Sequence, residues 1–220
     1  MNVNHHPSEA LLLDYVSGTL GETWSLGIAT HLALCPTCRR TVDVLEAMGG
    51  DLLENISPAE MSGDAAARMM ARIDVSDDAQ NKTGLPTLQL SKSHILPQPL
   101  LSYLGKDLAD LKWQRLGMGA FQSLIQTQEK DVTARLLRIP AGKPVPEHTH
   151  RGFELTLILS GEFSDATGTY KRGDLQEADE TLGHHPCAGK DKDCVCLAIT
   201  DAPLRFRSLA ARIVQPMLGI

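Results

Sequence analysis

The chain has 220 residues, enough for one large or two modest domains. Its five cysteines, an odd number, argue against a secreted disulfide framework and for a reducing compartment. The formal charge of −6 lies wholly in residues 1–76, with 10 acidic and 4 basic side chains, against 17 of each in 77–220. That imbalance disfavours phosphate contact, and so nucleic acid, but suits a basic protein surface.

In chain order, Pro7 and Ser8 announce a helix over about residues 9–19, with Leu12, Tyr15 and Val16 among its apolar positions. Residues 22–34 read as a second, amphipathic helix. His31 and Cys35 are four apart and share a face at its end. Pro36 suits the first turn of a third helix, with its body over about residues 37–48 and a stop at Gly49-Gly50. Cys38 falls in that first turn, where aligned N–H groups favour a thiolate.

Two thiolates and one imidazole leave a tetrahedral zinc one ligand short. The fourth is expected from His5 or His6, closing a three-helix unit whose small core a structural metal would reinforce. A redox dithiol is the competing reading of Cys-x2-Cys, but the βαβ setting it normally needs is missing. Ser57-Pro58-Ala59-Glu60 reads as a capping-box start for a fourth helix carrying Met69, Met70 and Ile73, with Gly63 a possible break.

Residues 74–97 are polar and aperiodic and mark a boundary, with His94 expected in solvent. Beyond it stands Gly142-x5-His148-x-His150-x3-Glu154-x6-Gly161. On an extended strand His148, His150 and Glu154 keep one parity and so one face, and each is a ligand that a first-row metal accepts. Further on, Cys194 and Cys196 share a face of a strand-like run and read as small apolar residues, while Cys187 after Pro186 is the more accessible thiol. No charged-then-apolar signal opens the chain and no apolar run approaches a membrane span, so a cytoplasmic protein is expected.

The glycine–histidine–glutamate run resembles the first motif of the cupin family. The second motif begins at Gly173 and places its histidine eleven residues on, at His184 rather than His185. Asp179, Thr181 and Ala188 depart from the proline, glycine and asparagine usual there. This resemblance covers roughly residues 98–210 and implies a barrel with His148, His150, Glu154 and His184 around a metal, and with Trp113, Phe121, Phe153 and Phe163 in its core. The upstream set resembles the zinc-binding anti-sigma domain family, whose pattern is carried by His6, His31, Cys35 and Cys38. Its first ligand commonly precedes proline, which favours His6.

Together the two halves resemble the ChrR anti-sigma factors, which hold an extracytoplasmic-function sigma factor inactive until stress. The fold implied is multidomain α + β: a zinc-bound helical bundle over 1–76, a linker over 77–97 and a cupin-like antiparallel β-barrel over 98–220. The resemblance further implies structural zinc in the first site and zinc, or another transition metal, in the barrel. It implies a 1:1 sigma-factor partner, no direct nucleic-acid or membrane binding, no catalysis, and release under photo-oxidative stress such as singlet oxygen. Leu11, Leu12, Tyr15, Val16, Trp24, Met69 and Met70 are candidate partner anchors. A rival class is a metal-dependent cupin dioxygenase, isomerase or hydrolase with Glu147 or Glu177 as acid–base group.

Overall fold

The computed structural model describes residues 2–80, 95–117 and 119–206, so His94 and most of the expected linker lie outside the described residues. Helix α1 spans Glu9–Val16, with Ser8 Oγ capping Leu11 N–H. It stops short of the expected end because Gly18 takes φ 72° and the N–H groups of Thr19 and Leu20 turn back to the Asp14 carbonyl. Helix α2 is Glu22–Leu34 and α3 is Pro36–Glu54. The last runs straight through Gly49-Gly50, where a stop was expected. Two glycines cost about 1 kcal/mol each relative to alanine, which does not end a helix once it is propagating.

Helix α4, Ala65–Gln80, begins later than the Ser57 signal predicts. Residues 57–62 are irregular, and the first turn forms only after Gly63, with Arg68 N–H on the Asp64 carbonyl and the Arg68 side chain paired to the Asp64 carboxylate. A short α5 follows at Gln98–Leu104. The chain divides into two compact units, one of Met1–Glu46 with His94–Ile220 and one of Ala47–Ser93. In the smaller unit Met48, Leu52, Leu53, Ile56, Met61, Met69, Met70 and Ile73 are exposed.

The larger unit is built on antiparallel strands. A six-stranded sheet has the order β1(Gln114–Gly117), β2(Ala120–Ile125), β3(Thr133–Ile139), β10(Cys194–Thr200), β5(Glu154–Ser160), β8(Leu175–Ala178). A second sheet joins β7(Gly168–Lys171), β6(Glu162–Asp165) and β9(Cys187–Ala188), and a third pairs β11(Arg205–Phe206) with β4(His148–Thr149).

Strand parity sorts the large sheet into two cores. Ala134, Leu136, Leu155, Leu157, Leu159, Leu197 and Ile199 join Leu26, Ile28, Leu32 and Leu100 of the helices. Ile139, Ile158, Cys194 and Cys196 point the other way, to Phe163, Tyr170 and Ala188. With both faces covered, β5 and β10 are buried almost end to end, unlike a sheet with one wet face. Of the four expected core aromatics only Phe163 is fully buried, at 2% exposure. Trp113 and Phe121 instead flank the Arg138 guanidinium, and Phe153 meets Trp24 of α2 with ring centroids 5.4 Å apart.

Helix α2 lies against the outer face of the sheet at Gly27, where a Cβ would come within 2.8 Å of Ile199 Cδ1 and 3.2 Å of Leu155 Cδ2. Its first turn is held by Glu129, whose carboxylate accepts Thr23 N–H at 2.8 Å. Glu22 in return accepts Gln128 N–H at 2.7 Å. Gly27→Leu should therefore overpack this seam and lower stability by about 2–3 kcal/mol in urea titration. Gly27→Ala should be nearly neutral, since the helix gains propensity while the Ile199 methyl yields.

Two candidate metal centres

His31 lies in the last turn of α2, Cys35 is its C-cap, and Pro36 starts α3 so that Cys38 sits in the first turn. The chain before α1 brings His6 to the same point. His31 Nε2 lies 3.3 Å from Cys38 Sγ, and His6 Nδ1 lies 3.4 Å from Cys35 Sγ and 3.3 Å from Cys38 Sγ. The Cys38 N–H points at Cys35 Sγ, 3.4 Å away. All four donor atoms lie within 4.8 Å of one another. Burial pushes His31 down to about 4 and the Cys38 thiol up to about 12. Two imidazoles and two sulfurs in one tetrahedron-sized group are a set that zinc accepts, and a dication would reverse the penalty on the thiolates. His5 is excluded from the group: its ring packs tilted against Tyr170, with centroids 4.2 Å apart, and its Nδ1 stands 3.5 Å from Asp174 Oδ2.

The second group lies inside the barrel. The His184 carbonyl and N–H bridge to His148, setting those two histidines side by side. His148 Nε2 and His150 Nε2 approach His184 Nε2 to 2.9 and 3.3 Å. Glu154 Oε2 lies 3.7 Å from His150 Nδ1, and Glu154 Oε1 accepts from Thr156 at 3.1 Å. Again the four donor atoms fall within 4.8 Å, all on buried residues.

Burial lowers His148 to about 3 and His150 to about 4, so both rings are uncharged at neutral pH. Burial also raises Glu154 to about 7, opposed by its Thr156 bond and the nearby Arg135 charge. Two of the outer ring nitrogens are engaged: His148 Nδ1 donates to the Pro146 carbonyl at 2.8 Å and His184 Nδ1 to Asp165 Oδ2 at 2.9 Å. Such outer partners fix the tautomer that turns Nε2 inward.

His185 is exposed, as is Cys187, while Cys194 and Cys196 are buried. Glu177 faces the helices, accepting Ser8 N–H at 2.6 Å. Sequence reasoning missed Asp165, Asp174 and Glu129, each partnered across more than the reach of a local motif. Asp165 alone left a trace, the Asp-x-Thr turn in which Thr167 N–H and Oγ1 bond its carboxylate.

Residues 104–202 match the ChrR Cupin-like domain. The anti-sigma-E factor ChrR of Cereibacter sphaeroides is 44% identical over 220 residues, the whole of both chains. The chain belongs to the ChrR family of anti-sigma factors. A solved ChrR chain, in the crystal structure of Rhodobacter sphaeroides SigE in complex with the anti-sigma ChrR, superposes with a TM-score of 0.77 at 41% identity, covering 90% of this chain and 99% of that one. The ChrR match is to a regulator, not an enzyme, and it carries N-terminal helices followed by a cupin-like antiparallel domain. Among the described residues no helix is long and apolar enough to cross a membrane.

Proposed function

We propose that this chain binds an extracytoplasmic-function sigma factor 1:1, in the cytoplasm, and holds it inactive until photo-oxidative stress such as singlet oxygen. The full-length identity to an anti-sigma factor crystallised with SigE carries the reading. Residues 1–76 form the clamp, 77–97 the linker and 98–220 the barrel that answers the signal. The exposed Met69, Met70 and Ile73 of α4 support the clamp, since amphipathic helices recognise partners through such anchors. The acidic excess of the same segment favours a basic partner face.

His6, His31, Cys35 and Cys38 would hold zinc, with every coordination position taken by the protein, so the metal there supplies a cross-link rather than a reacting group. It ties the pre-helical segment to the α2–α3 junction. His148, His150, Glu154 and His184 would hold the barrel metal, zinc or another transition ion, because three imidazoles and a carboxylate do not select among them. Asp165 and Pro146 orient two of those rings toward it.

Co-expression with each extracytoplasmic-function sigma factor of its own genome is expected to yield a 1:1 complex with one of them by native mass, and no association with any would overturn the reading. A variant with all four barrel ligands changed to Ala is expected to hold that sigma factor but retain it under singlet oxygen. Ordinary release from this variant would refute the barrel's part.

A further inference from the structure

One turn of the barrel holds the segment that delivers His6. Asp174, 0% exposed, stands where β7 turns into β8. Its Oδ1 accepts Asn4 N–H at 2.6 Å and His5 N–H at 3.0 Å, while Oδ2 accepts Lys171 N–H at 2.8 Å. The next residue closes the grip, with Leu175 N–H donating to the His5 carbonyl at 3.1 Å. Both backbone polar groups of His5 are thus bound to the barrel, and His6 follows directly.

The preceding residue fixes the turn itself. Gly173 takes φ 92°, and its N–H bonds the Ile158 carbonyl at 2.8 Å, which ties the turn to β5.

A carboxylate with no solvent access costs several kcal/mol unless its lone pairs are filled. Here burial works to raise the Asp174 pKa, yet the N–H groups of Lys171, Asn4 and His5 hold it below the usual carboxylate range. Two of those three donors belong to the N-terminal segment, so the barrel completes this site only by capturing that segment.

Two residues on, strand β8 reaches the partner of a barrel histidine. Gln176 Nε2 donates to Asp165 Oδ2 at 2.9 Å, the oxygen that also receives His184 Nδ1–H. Asp174, just before β8, and Gln176 within it thus reach the two four-residue groups, each through one intervening residue, His5 and Asp165.

We propose that Asp174 is the positioning residue by which the barrel sets His6 in the zinc cage, and that β8 links the two metal groups through Gln176, Asp165 and His184. This rests on the zinc reading of the cage. Any change that shifts β8 when the barrel group is altered then changes how firmly His6 is presented, and by linkage the cage must act equally on the barrel.

The test uses the full chain. Zinc affinity is measured by competition with a chromophoric chelator, and the cage is read separately by alkylation of Cys35 and Cys38 mapped by mass spectrometry. Asp174→Ala is expected to weaken cage zinc by at least about tenfold, the size usual for outer partners of a metal ligand. In a His6→Ala background the same substitution should change affinity less than about twofold, because coupled residues are not additive.

Asp174→Asn, which keeps one oxygen acceptor, serves if the alanine variant does not fold and should give a smaller loss in the same direction. Gln176→Leu should also weaken cage zinc when the barrel group is metal-loaded. An unchanged cage in the Asp174 variants, or effects that simply add to that of His6→Ala, would overturn the positioning role. An unchanged cage in Gln176→Leu would remove the link through β8. Wild-type protein whose Cys35 and Cys38 bind no zinc would instead sink the cage reading itself, and the proposal with it.

Discussion

Changing Cys35 and Cys38 together to Ser is expected to abolish zinc at the amino-terminal group and weaken sigma-factor binding by at least about 100-fold. The two sulfurs are the pivot of the group: each lies within 3.4 Å of His6 Nδ1, and Cys38 also meets His31. A serine oxygen is a poorer donor and does not ionise, so two imidazoles would remain to hold the metal alone. Structural zinc contributes on the order of 10 kcal/mol to the folding of small domains, far more than α1 and the α2–α3 junction gain from Leu12, Cys38 and Val42. Zinc content by elemental mass spectrometry and sigma binding by titration check the two effects together. A zinc-free double variant that still binds tightly would contradict the account.

Acidification should destabilise the metal-free protein by several kcal/mol between pH 6.5 and 4. His31, His148 and His150 have folded-state pKa values lowered to about 4, 3 and 4, chiefly by burial. Their unfolded value near 6.5 means that the unfolded chain takes up protons first, so stability is greatest above 6.5 and declines as the pH falls toward 4. Every tenfold loss of proton affinity on folding corresponds to about 1.4 kcal/mol. Glu154 works in the opposite sense. Raised to about 7, it binds its proton more readily when folded and adds stability as the pH falls from 7 to 4.5. One carboxyl offsets part of what three imidazoles lose. Urea midpoints at pH 7 and pH 5 test the sign, and equal midpoints would contradict it. Protons also compete with metal for the same nitrogens, so metal-loaded protein should lose its ions over the same direction of pH.

The grouping of His148, His150 and Glu154 was legible because a period of two is the strongest regularity a strand has. His31, Cys35 and Cys38 were legible for a parallel reason, a four-residue spacing at a helix end followed by proline. Which early histidine joins them was not settled by spacing. It depends on Asp174 and Tyr170, which occupy His5, and both are more than 160 residues away. The same holds for Glu129 at the start of α2 and Asp165 behind His184, since partners of this kind leave no periodic trace. Helix ends failed more simply. Gly49-Gly50 is a weak stop when favourable residues continue beyond it, and Ser57-Pro58 is a weak start when Gly63 still intervenes. Nothing in the α2 pattern announced that its apolar stripe would lie on a β-sheet rather than on helices alone.

Strand β5 separates the helices from the barrel interior and is buried on both sides along Glu154–Leu159. A saturation mutagenesis scan across it should lack the tolerant–intolerant rhythm of ordinary antiparallel strands. Even-numbered positions answer to the histidine chamber and odd-numbered ones to the helical layer. Sequence drift in that segment is accordingly constrained from two directions at once, and the histidine chamber could not be refashioned there without also refitting the surface on which α2 rests.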